Sequence, residues 1–277
     1  LVTGFKKDEV KKYVLSNNSG DFIFCEQKER LGTGHAVQQA APYIPVNGKT
    51  IVLYSDVPLV SAKTLKKLIR SSLRKKISIL TTNLKNPKGY GRVVRTEKQD
   101  IEAIREEADA NSKEKQIQEI FSGIMIIDNA FLKKGLKTLV RNNAAGEYYL
   151  TDLVSYAQRT KNKVGSYSID QEEVLGANNK HELSDLYKAM VALNIRAAKQ
   201  KGTIFKDEDT CYVEGQLKVG KDVKIGNNVT LKGNVQLGDS VVIESNCLIS
   251  NSKILKGSII KDFCSIEDSK IASNVEV

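Results

Sequence analysis

From residue 213 onward the apolar positions fall on a fixed step. Val219, Ile225, Leu231, Leu237, Ile243 and Ile249 are each six residues apart. A second series, Val223, Val229, Val235, Val241 and Cys247, keeps the same step, and Gly, Asn and Asp fill positions between. This is the hexapeptide pattern of a parallel β-helix rather than of an ordinary sheet. Each hexad makes one short side of a coil and turns its apolar residue inward. After Ile249 the step shortens to five at Ile254, then recovers through Ile260 and Ile266, which predicts a small irregularity in the coil. The repeat is still running at Val277, so no terminal cap is expected within the sequence.

The preceding residues carry mixed patterns. Residues 2–14 read as a strand end, a Gly turn and a helix, and residues 22–25 as a short strand. Residues 51–54 predict a buried strand. Residues 62–74 predict an amphipathic helix with Leu65, Leu68 and Ile69 on one face. Strands follow at 77–82, after the turn Asn86-Pro87-Lys88-Gly89, and at 123–127. Residues 151–159 and 184–201 read as helices, the second long enough to connect two domains, with Ser184 as its N-cap. Strands alternating with helices predict a mixed α/β sheet. The expected organisation is an α/β domain over 1–181, a helical linker over 182–212 and the start of a β-helix over 213–277.

Composition narrows the class. A chain of 277 residues holds about two domains, and 40% hydrophobic residues suffice for folded cores. The net charge is +10, with lysines at Lys6, Lys7, Lys11 and Lys12 and again through residues 63–76. Such an excess fits solvated helix faces, or a phosphorylated substrate. Without Trp or aromatics interleaved among the basic residues, no nucleic-acid partner is expected. No apolar run approaches the ~20 residues of a membrane helix, and no signal peptide is visible, so no membrane partner is expected either. Cys25, Cys211, Cys247 and Cys264 are widely spaced and read as reduced thiols of a cytoplasmic protein.

Candidate chemistry concentrates in ERLGTGHAVQQAAP (residues 29–42) and IVLYSDVP (residues 51–58). A Gly32-Thr33-Gly34 turn opening a helix lets backbone N–H groups approach a ligand, because glycine carries no Cβ. Asp56, just past an apolar strand, stands where open α/β sheets bind ligands and metals. His35 has no Ser or Cys partner in the pattern and reads as a structural polar residue beside the turn; Tyr148 and Tyr149 read as packing residues.

These segments, with GYGRVV (89–94), EIFSG (119–123), NNAAGEYYLTD (142–152) and GANN (176–179), resemble the bacterial bifunctional N-acetylglucosamine-1-phosphate uridyltransferase/glucosamine-1-phosphate acetyltransferase family. The resemblance runs the length of the chain. It implies a Rossmann-like nucleotidyltransferase domain with a mixed sheet, followed by a left-handed parallel β-helix of hexapeptide repeats. It also implies that Gln27, Gly32 and Thr33 hold uracil and ribose, and that Tyr54, Ser55 and Asp56 line the nucleotide and metal site. Asp56 and Asn178 would carry Mg²⁺ as the catalytic pair, while Gly91 and Glu106 would contact the sugar. The implied reaction joins UTP and N-acetylglucosamine 1-phosphate into UDP-N-acetylglucosamine and pyrophosphate. Acetyl-CoA would serve the acetyltransferase half of a longer protein, and the β-helix would assemble a homotrimer.

The chain also departs from the family. Ser55 stands where Gly is usual, Ala108 where Lys is usual, and Phe121 where an Asn grips the sugar. Phe121 would therefore border the substrate as an apolar ring. The family's glycine-rich phosphate loop, with the lysine soon after it, has no match here, and both ends read as cut. These departures keep two other readings open: transfer to a different sugar 1-phosphate, and a non-catalytic assembly module.

Overall fold

A computed structural model describes residues 1–177 and 179–277. The chain divides into two compact units, Leu1–Gly176 and Ala177–Val277.

In the first unit the strands are β1 (Val2–Thr3), β2 (Cys25–Glu26), β3 (Lys49–Val52), β4 (Ile77–Asn83), β5 (Arg92–Arg95), β6 (Ile101–Arg105), β7 (Glu119–Asp128) and β8 (Val164–Ser168). The helices are α1 (Lys7–Asn17), α2 (Thr33–Ala40), α3 (Ala62–Ser71), α4 (Asn129–Leu136) and α5 (Asp152–Arg159). The main sheet runs β6-β5-β7-β4-β8, with β3 also on β7. It is mixed, as expected: β4 pairs β8 in parallel and β7 antiparallel.

The period-2 rule fixes its two faces. Met125 and Ile127 point to one side with Ile77 and Ile79. There they pack with Phe131, Leu132 and Leu136 of α4 and Leu153, Val154 and Ala157 of α5. Ile124, Ile126 and Leu80 point to the other side, against Leu68 of α3. Leu68 is fully buried, and a leucine so placed stabilises by about 1.5–3 kcal/mol. Caps set two helix starts: Ser61 Oγ accepts from Thr64 N (3.1 Å), and Asp128 Oδ1 accepts from Phe131 N (3.0 Å).

Several expectations need correction. The strand expected at 51–54 is β3, which ends at Val52 and is only half-buried. Its one partner among the described residues is β7, so it lies at a sheet edge. Helix α3 ends at Ser71, and Ile69 is 41% exposed rather than on the core face. Strands β6 and β8 and helix α4 were not expected. The strand at 123–127 extends to Glu119 because Gly123, at φ +83°, carries the chain through an irregularity that shifts the β4–β7 register.

The second unit opens with α6 (Lys180–Lys199). Its N-cap is Asn179, not Ser184: Asn179 Oδ1 accepts from His181 N and Glu182 N, both at 3.0 Å. The coil strands are β9 (Ile204–Phe205), β10 (Tyr212–Val219), β11 (Lys224–Ile225), β12 (Thr230–Leu237), β13 (Val242–Ile243), β14 (Leu248–Ser250), β15 (Lys253–Ile254), β16 (Ile259–Ile260), β17 (Ser265–Glu267) and β18 (Lys270–Ile271). All pair in parallel. Leu231 stacks on Ile249, 18 residues on, so three hexads close one coil. Leu237 stacks on Ile254, only 17 on, which is the five-residue step seen in the sequence. Both apolar series point inward, and Val223, Val229, Val241 and Ile249 are fully buried. Left-handed backbone at Asp222, Asn228, Ser240 and Asn246 turns corners of the coil, a conformation that Asn and Asp tolerate better than most residues.

Candidate functional site

Helix α2 begins at Thr33, directly after Gly32 at φ +101°. Gly32 and Gly34 lie against the segment 147–148. A Cβ on Gly32 would come within 2.7 Å of Tyr148 O, and one on Gly34 within 2.8 Å of the same atom. That approach is tied by three hydrogen bonds. Gly34 N donates to Tyr148 O (2.7 Å), Tyr148 N to Leu31 O (2.7 Å), and Leu150 N to Thr33 Oγ1 (3.1 Å). The Gly-Thr-Gly turn is therefore clasped by the GEYYLTD segment, over 100 residues away in sequence.

Gln27 lies beneath this turn. Its amide Nε2 donates to Gly32 O (3.0 Å) and sits 3.1 Å from His35 Nδ1. His35 Nε2 lies 3.0 Å from the Gln39 amide. A neutral imidazole has one donor and one acceptor nitrogen. If Gln27 donates to Nδ1, then Nε2 carries the proton, and the Gln39 amide must present its oxygen. His35 is thus held on both sides and stacks on Tyr148, with ring centroids 6.2 Å apart. It is the structural polar residue the sequence predicts. Arg141 covers Tyr148 at 5.9 Å.

Tyr54 lies just past β3. Its ring fills the space a Cβ on Gly123 would take (2.7 Å) and meets Phe121 edge-on, with centroids 6.5 Å apart. Burial pushes the Tyr54 hydroxyl up to about 12, against a hydrogen bond with Thr33. Phe121 is only 5% exposed and belongs to the core beneath the site. Ser55 and Asp56 are exposed on the turn after Tyr54. Asp56 O stands 3.0 Å from where a Cβ on Gly176 would be, so the GANN segment closes on this turn at a glycine. Asn178 lies outside the described residues.

Gly91 and Glu106 meet across β5 and β6. A Cβ on Gly91 would reach 3.4 Å from Glu106 Oε2. The neighbouring pair Arg92–Glu107 (2.6 Å) holds this end of the two strands together, with Arg92 buried to 2% exposure. Arg92 Nη1 also donates to Tyr90 O, and Glu107 accepts from Gly89 N (3.1 Å). Glu106 Oε1 accepts from Thr151 Oγ1 (2.8 Å). Burial raises the Glu106 carboxyl above its ordinary range, and the charges of Asp152, Asp109 and Glu147 add to this against the Thr151 bond. Tyr149 is pushed up to about 12, by burial first and then by Asp109. Ala108 is exposed at this margin.

The structure gathers Gln27, Gly32, Thr33 and Tyr54 into one cradle and joins it to Gly91 and Glu106 through residues 148–151. Thr151 was missed by sequence reasoning. It stands in the quoted GEYYLTD segment, but nothing local marks its hydroxyl as the partner of Glu106. Among the described residues no group of three or more His, Cys, Asp or Glu side chains gathers as a metal site. The four cysteines are free thiols. No helix among the described residues is long and apolar enough to cross a membrane.

Residues 2–174 match the family model for nucleotidyl transferases, and residues 217–251 match that for the bacterial transferase hexapeptide (six repeats). The chain is 40% identical over 262 residues to the bifunctional protein GlmU of Nitrosomonas eutropha, covering 94% of this chain and 57% of that protein. It is 39% identical over 255 residues to the GlmU of Acinetobacter baylyi, covering 92% and 56%. With the GlmU of Chromobacterium violaceum it shares 38% over 278 aligned positions, covering 100% and 60%. The chain thus spans less than two thirds of the length of these curated relatives. Among solved structures, a candidate glucose-1-phosphate thymidylyltransferase from Bacillus anthracis, in complex with sucrose, aligns with TM-score 0.53 at 13% identity. That alignment covers 67% of this chain and 72% of the other, a likeness of fold.

Proposed function

This chain belongs to the nucleotidyl transferase family, and we propose that its first unit carries the uridylyl-transfer site of a longer bifunctional enzyme. The reaction is attack by the phosphate oxygen of N-acetylglucosamine 1-phosphate on the α-phosphorus of UTP. The bond from that phosphorus to the bridging oxygen breaks, and pyrophosphate leaves. The observation that carries this reading is the clasp of the Gly32-Thr33-Gly34 turn by residues 148–150, with Gln27 beneath it and Glu106–Thr151 beside it.

Gln27 spends its amide N–H groups inside the protein, on Gly32 O and toward His35. Its Oε1 is left to accept the N3–H of uracil. Gly34 N and Ala36 N are given to Tyr148 O and Gly32 O, so of the first-turn donors of α2 it is Thr33 N and His35 N that suit the uracil carbonyls. Glu106 keeps Oε2 for a sugar hydroxyl, and Gly91, whose Cβ position is met by Ile104 Cγ2 at 2.9 Å, would border the sugar with its backbone. Catalysis then rests on positioning and on neutralising phosphate charge, with no covalent intermediate.

Asp56 offers one exposed carboxylate on the turn beside Tyr54, which fits a Mg²⁺ ion that takes one or two protein oxygens and completes its shell with phosphate and water. Asp56 and Asn178 would hold it. When bound, such an ion supplies charge neutralisation on the transferring phosphates.

The test is pyrophosphate release by the complete protein supplied with UTP, N-acetylglucosamine 1-phosphate and Mg²⁺. Asp56→Ala should remove metal-dependent turnover; near-normal turnover would sink the metal assignment. Phe121 favours a second reading, transfer to another sugar 1-phosphate, because a buried ring cannot make the sugar contact that an Asn makes. A panel of sugar 1-phosphates in the same assay separates the two. In the longer protein the β-helix would build a homotrimer and, with acetyl-CoA, acetylate glucosamine 1-phosphate. The compartment that fits this reading is the cytoplasm.

A further inference from the structure

The basic run at 63–76 takes no part in the site above. Its end lines a cleft at the opposite end of the main-sheet strands. Lys49 opens β3 opposite Asp128, the last residue of β7, and Ile77 opens β4 opposite Ile127 and Val164. The candidate site lies past the other ends of these strands, about 20 Å away for a seven-residue strand such as β4.

This cleft has a volume of about 520 Å³ and is lined by Lys49, Arg74, Lys75, Lys76, Lys161 and Lys163. Asp128 is the one carboxylate in its wall, and that charge is committed. Asp128 pairs with Lys76 (3.2 Å) and caps α4 through Phe131 N. Lys163 reaches Asp100 at 3.5 Å. Among the described residues, Arg74, Lys75 and Lys161 make no ion pair. Lys49 is half-buried and donates to Ser72 O and to Lys75 O (2.8 Å), which ties the 72–75 turn to β3. Burial holds the Lys49 ammonium below its usual range, and Lys76 adds to this, opposed by Asp128.

Lys161 has a second peculiarity. It sits at the C-terminal end of α5 in left-handed backbone, φ +57°. Lys161 N donates to Gln158 O (2.9 Å) and Asn162 N to Ala157 O (2.8 Å). These are the two bonds of a Schellman end, where glycine is the usual residue. A lysine there costs backbone strain and places another cation on the cleft.

We propose that this cleft is a second ligand site, taking a small molecule with condensed phosphates. A concave wall of separate ammonium and guanidinium groups with one neutralised acid suits several adjacent phosphate charges. The volume lies in the range of small-molecule sites. Leu73 is the apolar residue of the lining, and no aromatic ring lines it for base stacking, which disfavours single-stranded nucleic acid. The phosphates could belong to inorganic polyphosphate or to a nucleoside triphosphate.

The experiment is calorimetric titration of sodium tripolyphosphate into the full chain at about 150 mM salt without divalent metal, with backbone amide NMR to locate the site. Shifts should concentrate at Lys75, Lys161 and Asn162. Lys161→Gly should weaken binding by roughly 3–10-fold, a usual effect of one phosphate-contacting cation. This variant should fold, because glycine suits the left-handed position. Lys75→Ala should weaken binding similarly. Affinity unchanged in both variants, or shifts confined to Thr33 and Gly34, would overturn the proposal. So would binding to phosphatidylglycerol vesicles that tripolyphosphate fails to displace. If UTP matches tripolyphosphate in affinity and in sensitivity to Lys161→Gly, the cleft reads phosphates alone. If UTP binds more tightly with the same sensitivity, the natural ligand is a nucleotide.

Discussion

Gly123 and Glu106 show how single residues shape the site. Gly123 combines φ +83° with a Cβ position 2.7 Å from the Tyr54 ring. Gly123→Ala therefore meets both a backbone penalty and a ring that must move. It should cost about 1–3 kcal/mol in urea denaturation and weaken UTP binding, because Tyr54 is displaced from Thr33. Glu106 makes a pH prediction. Its carboxyl is raised above 4.5 in the folded protein, by burial first. The folded state then holds that proton more tightly than the unfolded one does. The stability Glu106 contributes is fully present below the unfolded pKa and is lost as pH rises through the folded pKa. Glu106→Gln cannot ionise and keeps an oxygen for the Thr151 hydroxyl. Its Tm should exceed the parent's at neutral pH, with the gap closing below pH 4.5, while turnover falls. Thermal melts across pH check the first part; a parent Tm that rises with pH relative to the variant would contradict it. The Gly32-Thr33-Gly34 turn and Asp56 after its strand were legible in the local pattern, whereas Gln27 was marked only by the family resemblance. The spent donors of Gln27 and the hydroxyl of Thr151 were not legible, since their partners are fixed only by long-range packing.

At the scale of elements, the coil of the second unit depends on its corners as much as on its apolar sides. Asn246 holds φ +61°, and its Oδ1 accepts from Asn228 Nδ2 one coil away (3.1 Å). Asn246→Ala should cost about 1–2 kcal/mol, from left-handed strain and the lost rung, whereas Asn246→Gly should cost less than Asn246→Ala. Chemical denaturation of the two variants checks the order; equal losses would show that the rung, not the backbone, dominates. Inside the coil, Val241→Ala removes two methyl groups at full burial and should cost about 1–3 kcal/mol. The six-residue step revealed these elements because a parallel coil repeats one environment, so its pattern is local. Strands β6 and β8 and helix α4 left no such mark. They are short, and what makes β8 a strand is its pairing with β4. Ser184 was read as a helix start because it fits the preference for caps. Asn179 wins because its oxygen reaches two free N–H groups, a geometry that composition alone cannot rank.

For the whole molecule, two cores in two units set the expected behaviour. Leu68, Leu80 and Ile126 serve the first unit and the inward hexad residues the second. In calorimetry, Leu68→Ala should lower the transition of the first unit, by about 2–5 kcal/mol of its stability. Val241→Ala should lower that of the second. Both variants shifting one common transition by the same amount would show a single cooperative system. The sequence by itself determined the order of the two folds and the length of the repeat, and it marked most of the candidate cradle. Periodicity and glycine placement act over a few residues and need no partner to be seen. Tertiary structure alone decided that residues 147–151 clasp the Gly-Thr-Gly turn and that Phe121 joins the core. It also decided that cations from β3, from the turn after α3 and from the end of α5 share one cleft at the far end of the strands. Those relations join residues dozens to more than a hundred positions apart, and sheet register and helix packing place them, which no local pattern records.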